Sequence, residues 1–113
     1  MPEIVTVLTT VDSAEEAERL ARGLVEQRLA ACVQVGGPVT SYYRWEGAVQ
    51  ADREWQLLCK TRADRYPALE AHLRREHPYD VPEIIATPLV GGHTDYLRWV
   101  ARETDDPSAT AGA

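Results

Sequence analysis

Residues 31 to 61 read ACVQVGGPVTSYYRWEGAVQADREWQLLCKT, two long runs rich in Val, Tyr and Trp on either side of Glu46-Gly47. Glycine tolerates positive φ, so Glu46-Gly47 predicts a tight turn, and Ala31 to Trp45 with Val49 to Thr61 predict the arms of one β-hairpin. Arms of about twelve to fifteen residues exceed the usual five or six of a strand, so the hairpin must project beyond a small domain. A projecting hairpin carries unpaired edges, which points to a neighbouring subunit buried against it. Gly36-Gly37-Pro38 interrupts the first arm, because proline cannot donate to a ladder, and the register of the two arms is therefore not readable.

Upstream, Ile4, Val5, Val7, Leu8 and Val11 lie in Glu3 to Val11 without helical spacing and predict a buried strand. Ser13 with Glu16 three residues later forms a capping box, each side chain satisfying the other's orphan backbone donor. Ala17, Leu20, Ala21, Leu24, Val25 and Leu29 then recur at helical intervals and predict a helix ending near Arg28. Downstream, Pro67 fits only a first turn, so a second helix starts between Asp64 and Pro67, carries Tyr66, Leu69 and Leu73 on one side, and stops before Pro78. Val81 to Leu89 predicts a strand that Pro82 and Pro88 confine to an edge or to bulged ends. Gly91-Gly92 turns the chain, and Thr94 caps a last helix bearing Tyr96, Leu97, Val100 and Ala101. Residues 105–113 are small, polar and unpatterned, and predict a disordered tail after one domain of residues 1–104. The order β, α, β, β, α, β and a terminal helix is α+β and matches the ferredoxin-like split βαβ plan, with helices over one face of an antiparallel sheet.

A chain of 113 residues fits one domain. Its net charge of −6, with no basic run, argues against a nucleic-acid partner. No window approaches the ~20 apolar residues of a membrane span, and Met1 to Val5 lacks a signal-peptide pattern, so no membrane association and a cytoplasmic location are expected. Cys32 and Cys59 lie in strand-like runs rather than in a metal-site pattern and read as reduced, buried thiols. If their runs form one hairpin, the two thiols can come close.

Polar chemistry concentrates in His77-Pro78-Tyr79-Asp80-Val81-Pro82-Glu83 and at the hairpin tip. His77 reads either as a cap at a helix end, where imidazolium complements the helix dipole, or as a metal ligand. Asp80 and Glu83 beside it suit a hard-ion site or acid-base chemistry, or simply shape a turn and pair with Lys60 or Arg44 across an interface. Arg44, between Tyr43 and Trp45, can stack on a ring or clamp an anion in a cleft between subunits, with Lys60 as the second anion contact and Glu83 beside them. His72, five residues before His77, is poorly placed to chelate with it, and His93 reads as a solvated turn residue. Trp45, Trp55 and Trp99 read as core or interface. No nucleophile elbow, phosphate-binding glycine loop or HExxH motif is present, so no enzymatic activity is expected. An enzyme using His77 and Glu83 remains the contrary reading.

The chain resembles the CutA family, the divalent-cation tolerance proteins, over about residues 4–103. The likeness rests on Leu29-Ala30-Ala31-Cys32, on Tyr43-Arg44-Trp45-Glu46-Gly47, on Lys60-Thr61, on His77-Pro78-Tyr79 with Pro82-Glu83, and on Asp95-Tyr96-Leu97 with Trp99. It implies a homotrimer whose extended hairpins pair between subunits, similar in architecture to the PII signalling proteins, and a role in the response to metal ions with copper binding. In the family's described copper site a Cys lies in the first strand and two adjacent His precede the Pro-Tyr. Those positions here are Thr9, Glu76 and His77, so only His77 carries over. The alternative is a PII-like trimeric signalling module that binds a small ligand between subunits and an unknown protein partner, with metals incidental.

Overall fold

The structure, a computed structural model, describes residues 2–106. Its elements run β1 (Ile4–Val11), α1 (Ala14–Glu26), β2 (Cys32–Trp45), β3 (Ala48–Arg62), a single 3-10 turn, α2 (Tyr66–Glu76), β4 (Ile84–Pro88) and α3 (Thr94–Glu103). The strands form one antiparallel sheet in the order β2-β3-β1-β4, the split βαβ arrangement expected from the element order. The fourth strand is shorter than the 81–89 run suggested. Residues 77–83 form a loop instead, and pairing with β1 begins only after Pro82, which has no amide proton to donate.

The hairpin is as long as its sequence implied, with arms of 14 and 15 residues. Glu46 at φ 49° and Gly47 at φ 79° both occupy the left-handed region, as the tightest hairpin turns require. Gly37-Pro38 bulges out of β2 opposite Trp55, and the ladder resumes at Val39 opposite Glu54. A Cβ on Gly37 would lie 3.0 Å from the Glu54 carbonyl oxygen, so only glycine fits the bulge. The arms extend the molecule to 52 Å in one direction against 28 and 23 Å in the others.

α1 begins where Ser13 Oγ accepts the Glu16 amide at 3.1 Å. The return half of the capping box is not among its described bonds, and the Glu16 carboxylate meets Arg19 at 2.8 Å. α1 ends through Arg28, whose φ of 59° reverses the chain and lets the Leu29 amide reach the Leu24 carbonyl.

Period two along the strands decides which side chains meet the helices. Val5, Val7, Thr9 and Val11 of β1, with Leu57, Cys59 and Thr61 of β3, point to one face, where Leu20 and Leu24 of α1 and Leu69 and Leu73 of α2 close the main core. Ile4 points the other way and packs against Val100 and Ala101. The expectation that all helices cover one face therefore holds for α1 and α2 and is corrected for α3. Its apolar stripe also needs burial, and the end of the face opposite α1 and α2 supplies it. Beyond α3 that face stays open, with Leu58 and Ile85 exposed.

The register also settles the cysteines. Cys32 lies opposite Lys60 and Cys59 opposite Val33, so the two thiols point to opposite faces of the sheet and cannot meet. Cys59 is buried and Cys32 is half-buried beside Tyr96. Of the tail expected at 105–113, residues 107–113 lie outside the described residues. Asp105 and Asp106 pair with Arg62 and Arg65.

Candidate functional site

The projecting hairpin and the loop 77–83 together make a cleft. Past the bulge, Ser41, Tyr43 and Trp45 of β2 share a face with Asp52 and Glu54 of β3. The loop that follows α2 comes to that face, because Tyr79 donates its phenol proton to Glu54 Oε2 at 2.8 Å. The space between, about 910 Å³, is walled by Tyr43, Trp45 and Tyr79 and by Asp12, Asp52, Glu54, Asp80 and Glu83. Arg53 is the basic side chain among the described residues that line it. A second groove, about 690 Å³ between α1 and the edge of β2, is lined by Val25, Val33, Val35 and Trp55 together with the charged side chains Glu18, Arg22 and Glu26 of α1.

Tyr43 and Tyr79, the two cleft tyrosines bonded to carboxylates, are held protonated. Burial, then the Glu54 carboxylate, pushes the Tyr79 phenol far above its usual range. The Tyr43 phenol is raised first by its hydrogen bond to Asp52. Both phenols therefore donate, and an acidic, aromatic-walled surface faces outward.

His77 is the C-cap of α2, the capping place read for it, and its ring bonds a backbone carbonyl. It is buried, with 7% of its surface exposed, as the first residue past α2. The Tyr79 amide donates to Nδ1 at 3.1 Å, so the ring proton resides on Nε2, which donates to the Thr10 carbonyl at 2.9 Å. Burial holds its pKa below the usual 6.5, so the dipole-complementing imidazolium is disfavoured. Neither nitrogen retains a lone pair for a metal, and neither is free to carry protons to a substrate.

The remaining candidates separate. Glu83 is exposed on the cleft wall. Arg44, at the hairpin tip, reaches the Gly47 carbonyl at 3.4 Å. Lys60 lies at the other end of β3 and donates to Gln34 Oε1 across the ladder. Arg44 lies opposite Val49, and Val49 and Lys60 are eleven positions apart on β3, or about 36 Å at the rise of a strand. Within one chain, then, Arg44, Lys60 and Glu83 do not form one site. Among the described residues no group of three His, Cys, Asp or Glu side chains can hold a metal ion. His72 is buried where α2 meets Gly23 of α1, away from His77's partners. His93 has a role the sequence reading missed. Its Nδ1 accepts the Tyr96 amide at 3.4 Å and so caps α3, a position expected of Thr94.

Glu54, Asp52 and Tyr79 were also missed as site residues. Tyr79 stood in the quoted motif, but no local pattern links it to an acidic side chain 25 positions earlier.

Comparison with known proteins agrees with this architecture. The CutA1 divalent ion tolerance protein family matches residues 5–103. The divalent-cation tolerance protein CutA of Thermus thermophilus is 47% identical over 98 residues, covering 87% of this chain and 95% of that protein. The chloroplastic protein CutA 1 of Oryza sativa is 44% identical over 104 residues, covering 92% of this chain, which spans 58% of the rice protein's length. The crystal structure of CutA1 from Oryza sativa superimposes with a TM-score of 0.91 at 41% identity, over 93% of this chain and 96% of that one. The match to family, sequence and fold extends over nearly all of the described residues, and this chain belongs to the CutA1 family of divalent ion tolerance proteins.

Proposed function

We propose that this protein acts in the response to divalent metal ions as a homotrimer, binding its ligand in the cleft between hairpin and loop 77–83, which a neighbouring subunit completes. The observation that carries the reading is the hairpin surface. Tyr42, Trp45 and Val49 are 75, 51 and 67% exposed, on arms too long for the domain to cover. Apolar surface of that kind calls for a partner, and a second copy supplies the same surface in return. Such packing would also bring one subunit's Arg44 or Lys60 towards another's Glu83, which a single chain keeps apart. Binding rather than catalysis follows from His77, whose two nitrogens are already committed.

A metal site built this way draws ligands from more than one subunit. Glu83 is its contribution from the cleft wall, and His77 is left out. Carboxylate donors suit zinc or manganese better than copper(I), which prefers sulfur and imidazole. The aromatic walls favour a second reading, a PII-like module whose small organic ligand lies against Tyr43 and Trp45, with a protein partner responding. Both readings place the protein in an aqueous compartment, and among the described residues no helix is long and apolar enough to cross a membrane.

Calorimetric titration with copper and with zinc, alongside mass measured in the same buffer, tests the reading. The expected result is a particle of three chains, zinc bound at a whole-number ratio to it, and binding lost in Glu83→Gln. A monomer refutes the assembly. Metal binding that is absent, or unaffected by Glu83→Gln, refutes the metal site and leaves the organic-ligand reading.

A further inference from the structure

The cleft between the hairpin and loop 77–83 is walled by rings. Tyr43 and Trp45 share one face of β2 and remain 42 and 51% exposed, and Tyr79 closes the wall from the loop. Rings left open in a concave site of about 910 Å³ can hold an organic body and present their π faces to positive charge.

The carboxylates of the same wall decide the sign of what enters. Asp52 and Glu54 stand two positions apart on β3, about 7 Å at the rise of a strand. Each accepts a hydrogen bond from a phenol, Asp52 from Tyr43 and Glu54 from Tyr79. Both phenols stay protonated, so these bonds aim the two carboxylates without neutralising them. Asp12, Asp80 and Glu83 complete the wall and form no ion pair among the described residues. Arg53 lies between Asp52 and Glu54 in sequence and pairs with Thr40, so strand alternation sends its side chain to the opposite face of the hairpin. The acidic wall is therefore left without a compensating cation from its own strand.

The spread of these groups distinguishes the ligand. A metal ion needs its oxygen donors converged within about 2.0–2.6 Å of one point, and among the described residues no group of three His, Cys, Asp or Glu side chains does so. Carboxylates set along an aromatic wall match several positive charges carried on an apolar chain instead. Ammonium groups donate to the carboxylates, and the methylenes between them lie on the rings.

We propose that the cleft binds a linear aliphatic di- or polyamine, its ammonium groups paired with Asp52, Glu54 and the carboxylates of loop 77–83 and its methylenes lying on Tyr43 and Trp45. The inference rests on the organic-ligand reading of this cleft and supplies its chemical class.

Calorimetric titration of the full chain with spermidine at pH 7.5 in about 0.15 M salt tests it, with hexaamminecobalt(III), a compact cation of the same charge and no methylenes, titrated alongside. Spermidine should bind at a whole-number ratio to the chain, and hexaamminecobalt(III) about tenfold more weakly or worse. Asp52→Asn and Glu54→Gln each keep an acceptor for the phenol and remove one charge, and each should weaken spermidine about tenfold. In NMR spectra the Trp45 indole N–H signal should move on adding spermidine while that of Trp99 does not. Spermidine that does not bind, binding unchanged in both variants, or equal affinity for the two cations overturns the proposal, the last because it reduces the effect to diffuse charge attraction. If a variant loses the wild-type mass, the comparison of the two cations on the wild type decides. Zinc bound through Glu83 with no spermidine bound removes this inference and leaves the cleft a metal site, whereas failure of both removes the cleft as a ligand site altogether.

Discussion

Thr9 and Thr61 are both fully buried on the same face of the sheet, yet replacing each by Val should move stability in opposite directions. Among the described residues Thr9 Oγ1 has no hydrogen-bond partner. A buried hydroxyl left without one costs about 1–3 kcal/mol, and Val keeps the β-branch and nearly the same shape. Thr9→Val should therefore gain about 1–2 kcal/mol. Thr61 Oγ1 instead donates to the Leu29 carbonyl at 2.7 Å, in the segment where α1 gives way to β2. Thr61→Val removes that donor and should cost about 1–3 kcal/mol. The assay is guanidinium unfolding at one fixed chain concentration, because assembly adds its own stabilisation. The midpoint should rise for Thr9→Val and fall for Thr61→Val, with the denaturant slope unchanged in both. In thermal terms each kcal/mol corresponds to about 4–8 °C for a domain of this size. If both substitutions destabilise alike, a partner satisfies Thr9 Oγ1 and the accounting of this core is wrong.

Trp45→Ala should weaken assembly far more than it weakens the fold of one chain. About half of a ring that can bury 150–250 Å² is exposed in one chain, so burial by a neighbour contributes about 2–3 kcal/mol per subunit at 25 cal/mol per Å². Sedimentation at nanomolar to micromolar chain should show the variant dissociating first, and an unchanged mass profile would remove Trp45 from the interface. Acid should destabilise the fold through His72 and His77, both held below 6.5 by burial. A depressed histidine contributes stability that is complete above its unfolded pKa of 6.5 and is lost as pH falls from there towards the folded value. Denaturant midpoints at pH 7.5 and 5.5 should show that loss, and equal midpoints would contradict the burial of both rings. Burial pushes the Cys59 thiol up to about 12, so a thiol reagent at pH 8 should modify one cysteine, Cys32, in the native protein and both in denaturant. Equal native rates would place Cys59 at the surface.

Elements with a local cause were legible. Ser13 before the periodic stripe of α1, Pro67 in the first turn of α2 and Glu46-Gly47 between two β-rich runs each act over a few residues, and each is where it was expected. The fourth strand was overextended because Val81 and Pro82 look strand-like, whereas Tyr79 anchors that stretch to the hairpin as loop. His93 was read as a turn residue because histidine is not a usual helix cap, and only the placement of its ring reveals the bond it accepts. The candidate residues were named in part, since Glu83 does line the cleft, but Glu54 and Asp52 carried no local mark of a site.

The sequence by itself determined the element order, the antiparallel plan, the long hairpin and the family, because these follow from periodicity, turn chemistry and ordered motifs that need no knowledge of distant contacts. Tertiary structure alone decided that α3 crosses to the other face, that Cys32 and Cys59 point apart, and that His77 spends both nitrogens on backbone groups. Those outcomes depend on distant contacts: strand register sets the faces of Cys32 and Cys59, where a shift of one residue would reverse them, and the packing of α2 and α3 against the sheet sets the other two.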